Sequence, residues 1–170
     1  MHKFVLGTSI VLQILKNSIS SQLDVDKRNH VLVVSTGHLG DFIHTVPMIK
    51  ALSMNNDVSV VTKDSNKIND FGDDFVYVDD DFALSHKWDL IIVCYDNNKT
   101  RWKGNVVYVE GVRALKKIIN QWHEKHWSEF YLDVAKMYDR SLDKEVWGHQ
   151  TVVQEAIYSM PIPTDDTDWV

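Results

Sequence analysis

The chain has 170 residues, 44% of them apolar and 25% charged, with a formal net charge of -6. That length suffices for one domain burying roughly 70% of its unfolded surface, and the composition excludes wholesale disorder. The acidic balance argues against a nucleic-acid partner, which needs a basic face; the single cysteine, Cys94, excludes an internal disulfide and a multi-thiolate zinc site.

Residues Phe4 to Leu15 are largely apolar and precede a Ser-rich stretch. The run is too short to span a bilayer. Its apolar residues, Val5, Leu6, Ile10, Val11, Ile14 and Leu15, recur at helical spacing. That pattern suits a packed or membrane-surface helix, with a cleaved signal peptide as the alternative. Asp24 to Asn29 reads as a polar linker, so residues 1–29 form an N-terminal helix and linker ahead of the main domain.

His30 to Val34 is a continuous apolar, mostly β-branched run, the pattern of a strand buried on both faces. A glycine-containing loop, Ser35 to Gly40, follows. Then Phe42, Ile43, Val46, Ile49 and Leu52 repeat at helical spacing. Further strands are expected at Asp57–Thr62, Phe75–Val78, Leu90–Cys94 and Val106–Val109. From Val112 the pattern turns helical, and Leu115, Ile118, Ile119 and Trp122 share a face. Phe130, Leu132, Val134 and Met137 continue it, and a last amphipathic stretch runs from His149 to Met160. Short strands with room for a helix between them predict an α/β, Rossmann-like parallel sheet flanked by helices over residues 30–163. Residues 164–170 read as a polar tail.

In such sheets ligands sit at the carboxyl ends of the strands, against helix N-termini. The loop after the first strand lacks both G-x-G-x-x-G and the Walker pattern, and Asp64 alone does not make a dinucleotide site. Val31 to Leu52 instead carries Leu39-Gly40-Asp41, then Phe42-Ile43, His44-Thr45, Val46 and Pro47 between a strand and a helix. This opening resembles that of family 9 glycosyltransferases, the ADP-heptose:lipopolysaccharide heptosyltransferase group. Weaker similarity continues through Val58–Lys63, Trp88–Ile92 and His149–Pro163. His38 stands where the family usually has a smaller or aliphatic residue.

The resemblance implies the acceptor-side, N-terminal half of a two-domain GT-B enzyme, with 164–170 as the start of an interdomain linker. It implies inverting, metal-independent sugar transfer in lipopolysaccharide biosynthesis. The co-substrate would be a nucleotide sugar, of the ADP-sugar kind, with no further cofactor. A sugar or glycolipid acceptor, and a separate donor-binding domain or a second copy of the chain, are the implied partners. The implied place is the cytoplasm, at the inner face of a membrane. A non-catalytic sugar- or nucleotide-binding module and an assembly subunit are the alternatives.

Asp41 matches the family's base, the group that takes the acceptor hydroxyl's proton as its oxygen attacks the anomeric carbon. The residue type equally suits a helix cap. Gly40 is expected to give unusual backbone geometry and close ligand approach. His44, three residues on, shares a helix face with Asp41 and would orient it or touch a sugar or phosphate oxygen. Thr45 would satisfy backbone groups freed by Pro47 or join the substrate contacts. Thr36 and Gly37 complete the substrate-binding set, and Asp41 and His44 are expected on the floor of a half-cleft. Elsewhere, His123 and His126 at i, i+3 on a helix lack a third metal ligand. Asp79 to Asp81 reads as a solvated loop. Lys99, Arg101 and Lys103 around Trp102 read as a cleft rim for an anionic acceptor or a charged surface turn.

Overall fold

The computed structural model of the chain describes residues 22–63, 73–98, 100–118 and 126–143. Its centre is strand β1 (His30–Ser35), whose five residues from Val31 onward are buried on both faces. Helix α1 (Leu39–Ser53) follows, then β2 (Asp57–Val61), β3 (Val76–Tyr77) and a short helix α2 (Asp80–Ser85). Next come β4 (Leu90–Tyr95), β5 (Val106–Tyr108), α3 (Val109–Ile118), α4 (Trp127–Tyr138) and a 3-10 turn at Arg140–Asp143.

The five strands form one parallel sheet in the order β3-β2-β1-β4-β5. The fold is α/β and Rossmann-like. Alternation along the strands divides the core in two. Val31 and Val33 of β1, with Leu90, Ile92 and Cys94 of β4, pack against Phe42, Val46 and Ile49 of α1 and Phe130 and Val134 of α4. Leu32, Val34, Ile91 and Val93 face the other way, onto Ala83 of α2, Trp88 and Trp102. Fully burying one such Val, Leu or Phe side chain contributes about 1.5–3 kcal/mol. Continuous apolar strands are stable here because both faces are covered.

The helix after β1 and the helix before β4 therefore lie on opposite faces. Strand order runs outward in both directions from β1, so the crevice between the carboxyl ends of β1 and β4 is the topological switch point. The register slips there, with Val34 opposite Val93 but Ser35 opposite Tyr95, an irregularity that leaves Cys94 as the extra residue. At the opposite edge, Asn56 donates to Asp139 Oδ2 at 2.7 Å and to the Leu52 carbonyl at 3.0 Å, and accepts from Asn29 Nδ2 at 2.9 Å. Leu23 is buried, and its N–H donates to the Tyr138 carbonyl, so the polar 24–29 segment begins beside α4.

Three local expectations are corrected. Val109 begins α3 rather than ending β5. The aspartates at 79–81 do not form a plain solvated loop: Asp79 caps α2, its carboxylate accepting the Phe82 N–H at 2.7 Å. His126 is not a helical residue but the N-cap residue of α4, with φ -58° and ψ 144°. Residues 1–21, Asp64, Lys99, Ile119, Trp122, His123 and the 149–170 stretch, with the expectations stated for them, lie outside the described residues. Among the described residues, no helix is long and apolar enough to cross a membrane.

Candidate functional site

The first turn of α1 begins three residues past β1. His38 is its N-cap, in an extended conformation, and Asp41 is its third residue. Asp41 Oδ2 accepts the His38 backbone N–H at 3.0 Å. This is the returning half of a capping box, which satisfies an otherwise orphaned donor. Asp41 is thus not the N-cap residue itself. Its other oxygen takes no hydrogen bond among the described residues.

Crowding falls at Gly37, not Gly40. A Cβ on Gly37 would stand 2.7 Å from Asp41 Oδ2 and 3.0 Å from Tyr95 Cδ1, whereas one on Gly40 would meet nothing within 4 Å. Gly40 is exposed in the helix and has no positive φ, so the unusual backbone expected there is absent. Thr45 is also displaced from its expected role. Its side chain is fully buried, and the hydroxyl donates to the Phe42 carbonyl at 2.7 Å. It therefore has no surface to offer a ligand. The carbonyl freed by Pro47 is that of Ile43, one residue away.

Asp41 and His44 are both half-buried. Burial holds the His44 imidazole below its ordinary value; His126 lowers it further, while Asp41 pulls the other way. The His44 and His126 rings lie 5.0 Å apart. Burial pushes the Tyr131 phenol up, and the charges of Asp41 and Glu110 add to the effect, which places this α4 residue in the field of the same carboxylate. Asp41, His44, His126 and Tyr131 form one electrostatic cluster. Among the described residues, no group of three His, Cys, Asp or Glu side chains is placed to hold a metal ion.

Thr36 sits across the switch point. Its N–H and its hydroxyl both donate to the Tyr95 carbonyl, at 2.9 and 3.2 Å. Beside it opens a cleft of about 500 Å³, walled by the carboxyl ends of β1 to β4. Of the predicted catalytic and substrate-binding residues Thr36 lines it, joined by Arg101 of the expected rim; Gly37, Gly40, Asp41, His44 and Thr45 do not. The half-cleft floor expected under Asp41 and His44 is therefore formed by other residues.

The most organised of these is Asp96, which is 6% exposed. Its carboxylate accepts from the Asn98 N–H at 3.0 Å, from Arg101 Nε at 2.9 Å and from the Trp102 indole N–H. Arg101 bridges onward to Asp80 and lies 4.6 Å from the Trp102 ring centroid. Arg101 lines the cleft, where the rim reading puts it, but its guanidinium is committed to two carboxylates rather than held out for an anion. Tyr77, its phenol pushed up to about 12 by burial, and Lys63 complete the far wall. Asp96 was legible from the rule that singled out Thr36, being the first residue past β4. Tyr131 and His126 carry no such local signal.

No family model matches the chain, and no curated protein matches it. Among solved structures, it is similar to the glycosyl transferase family 9 protein from Veillonella parvula DSM 2008. The two are 14% identical with a TM-score of 0.44, over 69% of this chain and 42% of that chain. The match thus spans less than half of that protein's length.

Proposed function

We propose that the chain is the acceptor-side half of an inverting, metal-independent sugar transferase in which Asp41 is the general base. One observation carries the reading. The carboxylate stands in the first turn of α1, after the carboxyl end of β1, with one oxygen tied to the His38 N–H and space cleared by Gly37. The Leu39-Gly40-Asp41…His44-Thr45…Pro47 resemblance supplies the chemistry. The acceptor hydroxyl gives its proton to Asp41 as its oxygen bonds to the anomeric carbon, and the nucleoside diphosphate leaves with the bonding electrons. The cleft beside Thr36, with Asn98, Asp96 and Tyr77 in its walls, holds the rest of the sugar acceptor. The donor, a nucleotide sugar of the ADP-sugar kind, requires phosphate contacts from a second domain.

The test pairs the chain with a donor-side domain, as a separate chain or in a longer one, and measures transfer from nucleotide sugars. Asp41→Asn is expected to lower turnover by about 10²–10⁴-fold. Undiminished turnover in Asp41→Asn removes the base assignment. A second reading, a binding module without catalysis, draws on the absence of Asp41 from the cleft lining. It predicts ligand-induced stabilisation with no turnover in any pairing.

A further inference from the structure

α1 and α4 pack together over the sheet, and near Asp41 they meet through two imidazoles. His44 lies on α1 one turn after Asp41, and His126 is the N-cap residue of α4. Their ring centroids are 5.0 Å apart with the planes at 72°, an edge-to-face contact. His126 also holds the helix start, its Nδ1 accepting the Ser128 N–H at 3.3 Å. Only a ring unprotonated at Nδ1 can do this, because imidazolium has two donors and no acceptor. Protonation therefore removes the cap and places a cation at the positive end of the helix dipole. If His44 is charged as well, two cations face each other across the helix contact.

We propose that the His44–His126 contact is an acid-sensitive latch that fixes the first turn of α4 against the Asp41-bearing turn of α1. The surrounding charges set its response. Asp41, on the same helix as His44, favours the imidazolium and opposes opening, whereas burial and His126 favour neutral His44. Along α4, Glu129 is a first-turn acid and also opposes opening. From α3, the Arg113 guanidinium lies 4.6 Å from the Trp127 ring centroid, beside the cap, and disfavours a second cation. Lys116 of α3 is paired with Asp133 of α4 at 3.8 Å, and Tyr131 stays neutral in this range. The latch is closed while both rings are neutral and opens as acid protonates them, His44 being held below its ordinary value.

The experiment is a histidine NMR titration with amide hydrogen exchange, on the wild type, His126→Asn and His44→Gln, between about pH 8 and about pH 5. Asparagine retains a capping oxygen but cannot titrate. In the wild type, His44 is expected to titrate below 6.5. The amides of 126–131 and 39–45 should lose about tenfold or more in protection toward acid, while those of β1 and β4 hold. In His126→Asn, His44 should shift upward and the acid loss should shrink. His44→Gln should leave a shallower, one-proton response, and it gives a reading even if His126→Asn folds poorly. An unchanged His44 titration in His126→Asn overturns the latch. So does equal protection of the first turn of α4 at both pH limits, or a uniform loss across the core. No readout needs a substrate, so the latch stands or falls separately from the role of Asp41.

Discussion

Gly37 and Asp41 are fitted to each other: the position a methyl group would take on residue 37 is 2.7 Å from Asp41 Oδ2 and 3.1 Å from Asp41 Cβ. The absence of a side chain on the loop therefore sets where the carboxylate stands. Gly37→Ala would push Asp41 off the His38 N–H, because Tyr95 Cδ1, 3.0 Å away, blocks escape toward β4. The expected cost is about 1–3 kcal/mol of stability, the range for overpacking. Transfer activity should fall along with it. Urea denaturation measures the first and the paired-domain assay the second.

Gly40 gives the opposite outcome. Alanine there meets nothing within 4 Å and sits in a helix with ordinary φ. Gly40→Ala should stabilise the chain by about 0.5–1 kcal/mol, through the lower backbone entropy of the unfolded state. Thermal unfolding checks it. A loss of stability would mean that residue 40 is more confined than its surroundings show.

The contrast between these two glycines marks the boundary of what the sequence revealed. β1 and β4 were readable because strands buried on both faces must be apolar at every position, and the helical spacing after them placed α1. Periodicity does not say which of two loop glycines is crowded, since the crowding atoms come from Asp41 and from Tyr95 of a distant strand. The meeting of His44 with His126 is hidden for the same reason: it depends on how α4 packs on α1, 82 positions along the chain. α2 escaped notice because six residues give too little periodicity, although Asp79 carried the cap signal.

Asn56 separates stability from the site. It is 2% exposed and makes hydrogen bonds to Asn29, Leu52 and Asp139 at the amino edge of the sheet, away from the switch point. Asn56→Ala takes the donor from Asp139 Oδ2, whereas the Asn29 amide keeps the Asp24 and Lys27 carbonyls as acceptors. A loss of about 1–3 kcal/mol is expected, the penalty for one buried polar group left unsatisfied. Ligand binding and turnover of the folded fraction should not change. Equilibrium denaturation with activity at low temperature tests both halves.

Cys94 should be silent in the native state. The thiol is buried in the core beside the register slip, and burial pushes its pKa far above the usual thiol range. Only the thiolate reacts, so alkylation should proceed at the rate at which the sheet opens. Mass spectrometry after a timed pulse of iodoacetamide should show labelling that rises with denaturant in step with unfolding. Rapid labelling without denaturant would place the thiol at the surface.

Asp96 organises the cleft wall, and its removal should be costly in proportion to what it holds. Desolvation raises its carboxyl pKa, but the Asn98 N–H, the Trp102 indole and Arg101 together outweigh that and hold it below the ordinary carboxylate value. A carboxyl lowered in the folded state stabilises the fold above its unfolded pKa, and that stability is lost as pH falls through the folded value. Its contribution should therefore be complete near neutrality and disappear only in strong acid, well below the histidine range. Asp96→Asn keeps the shape but removes the charge facing Arg101, whose remaining carboxylate is the half-exposed Asp80. The expected loss is about 1.5–3 kcal/mol, the scale of hydrogen bonds to a charged group. The difference from wild type should shrink as pH drops below about 3.9, where the wild-type carboxyl too begins to protonate in the unfolded chain. Urea unfolding of both proteins across that range is the measurement. A difference that grows toward acid would show that the Asp96 carboxylate is held at a net cost to the fold.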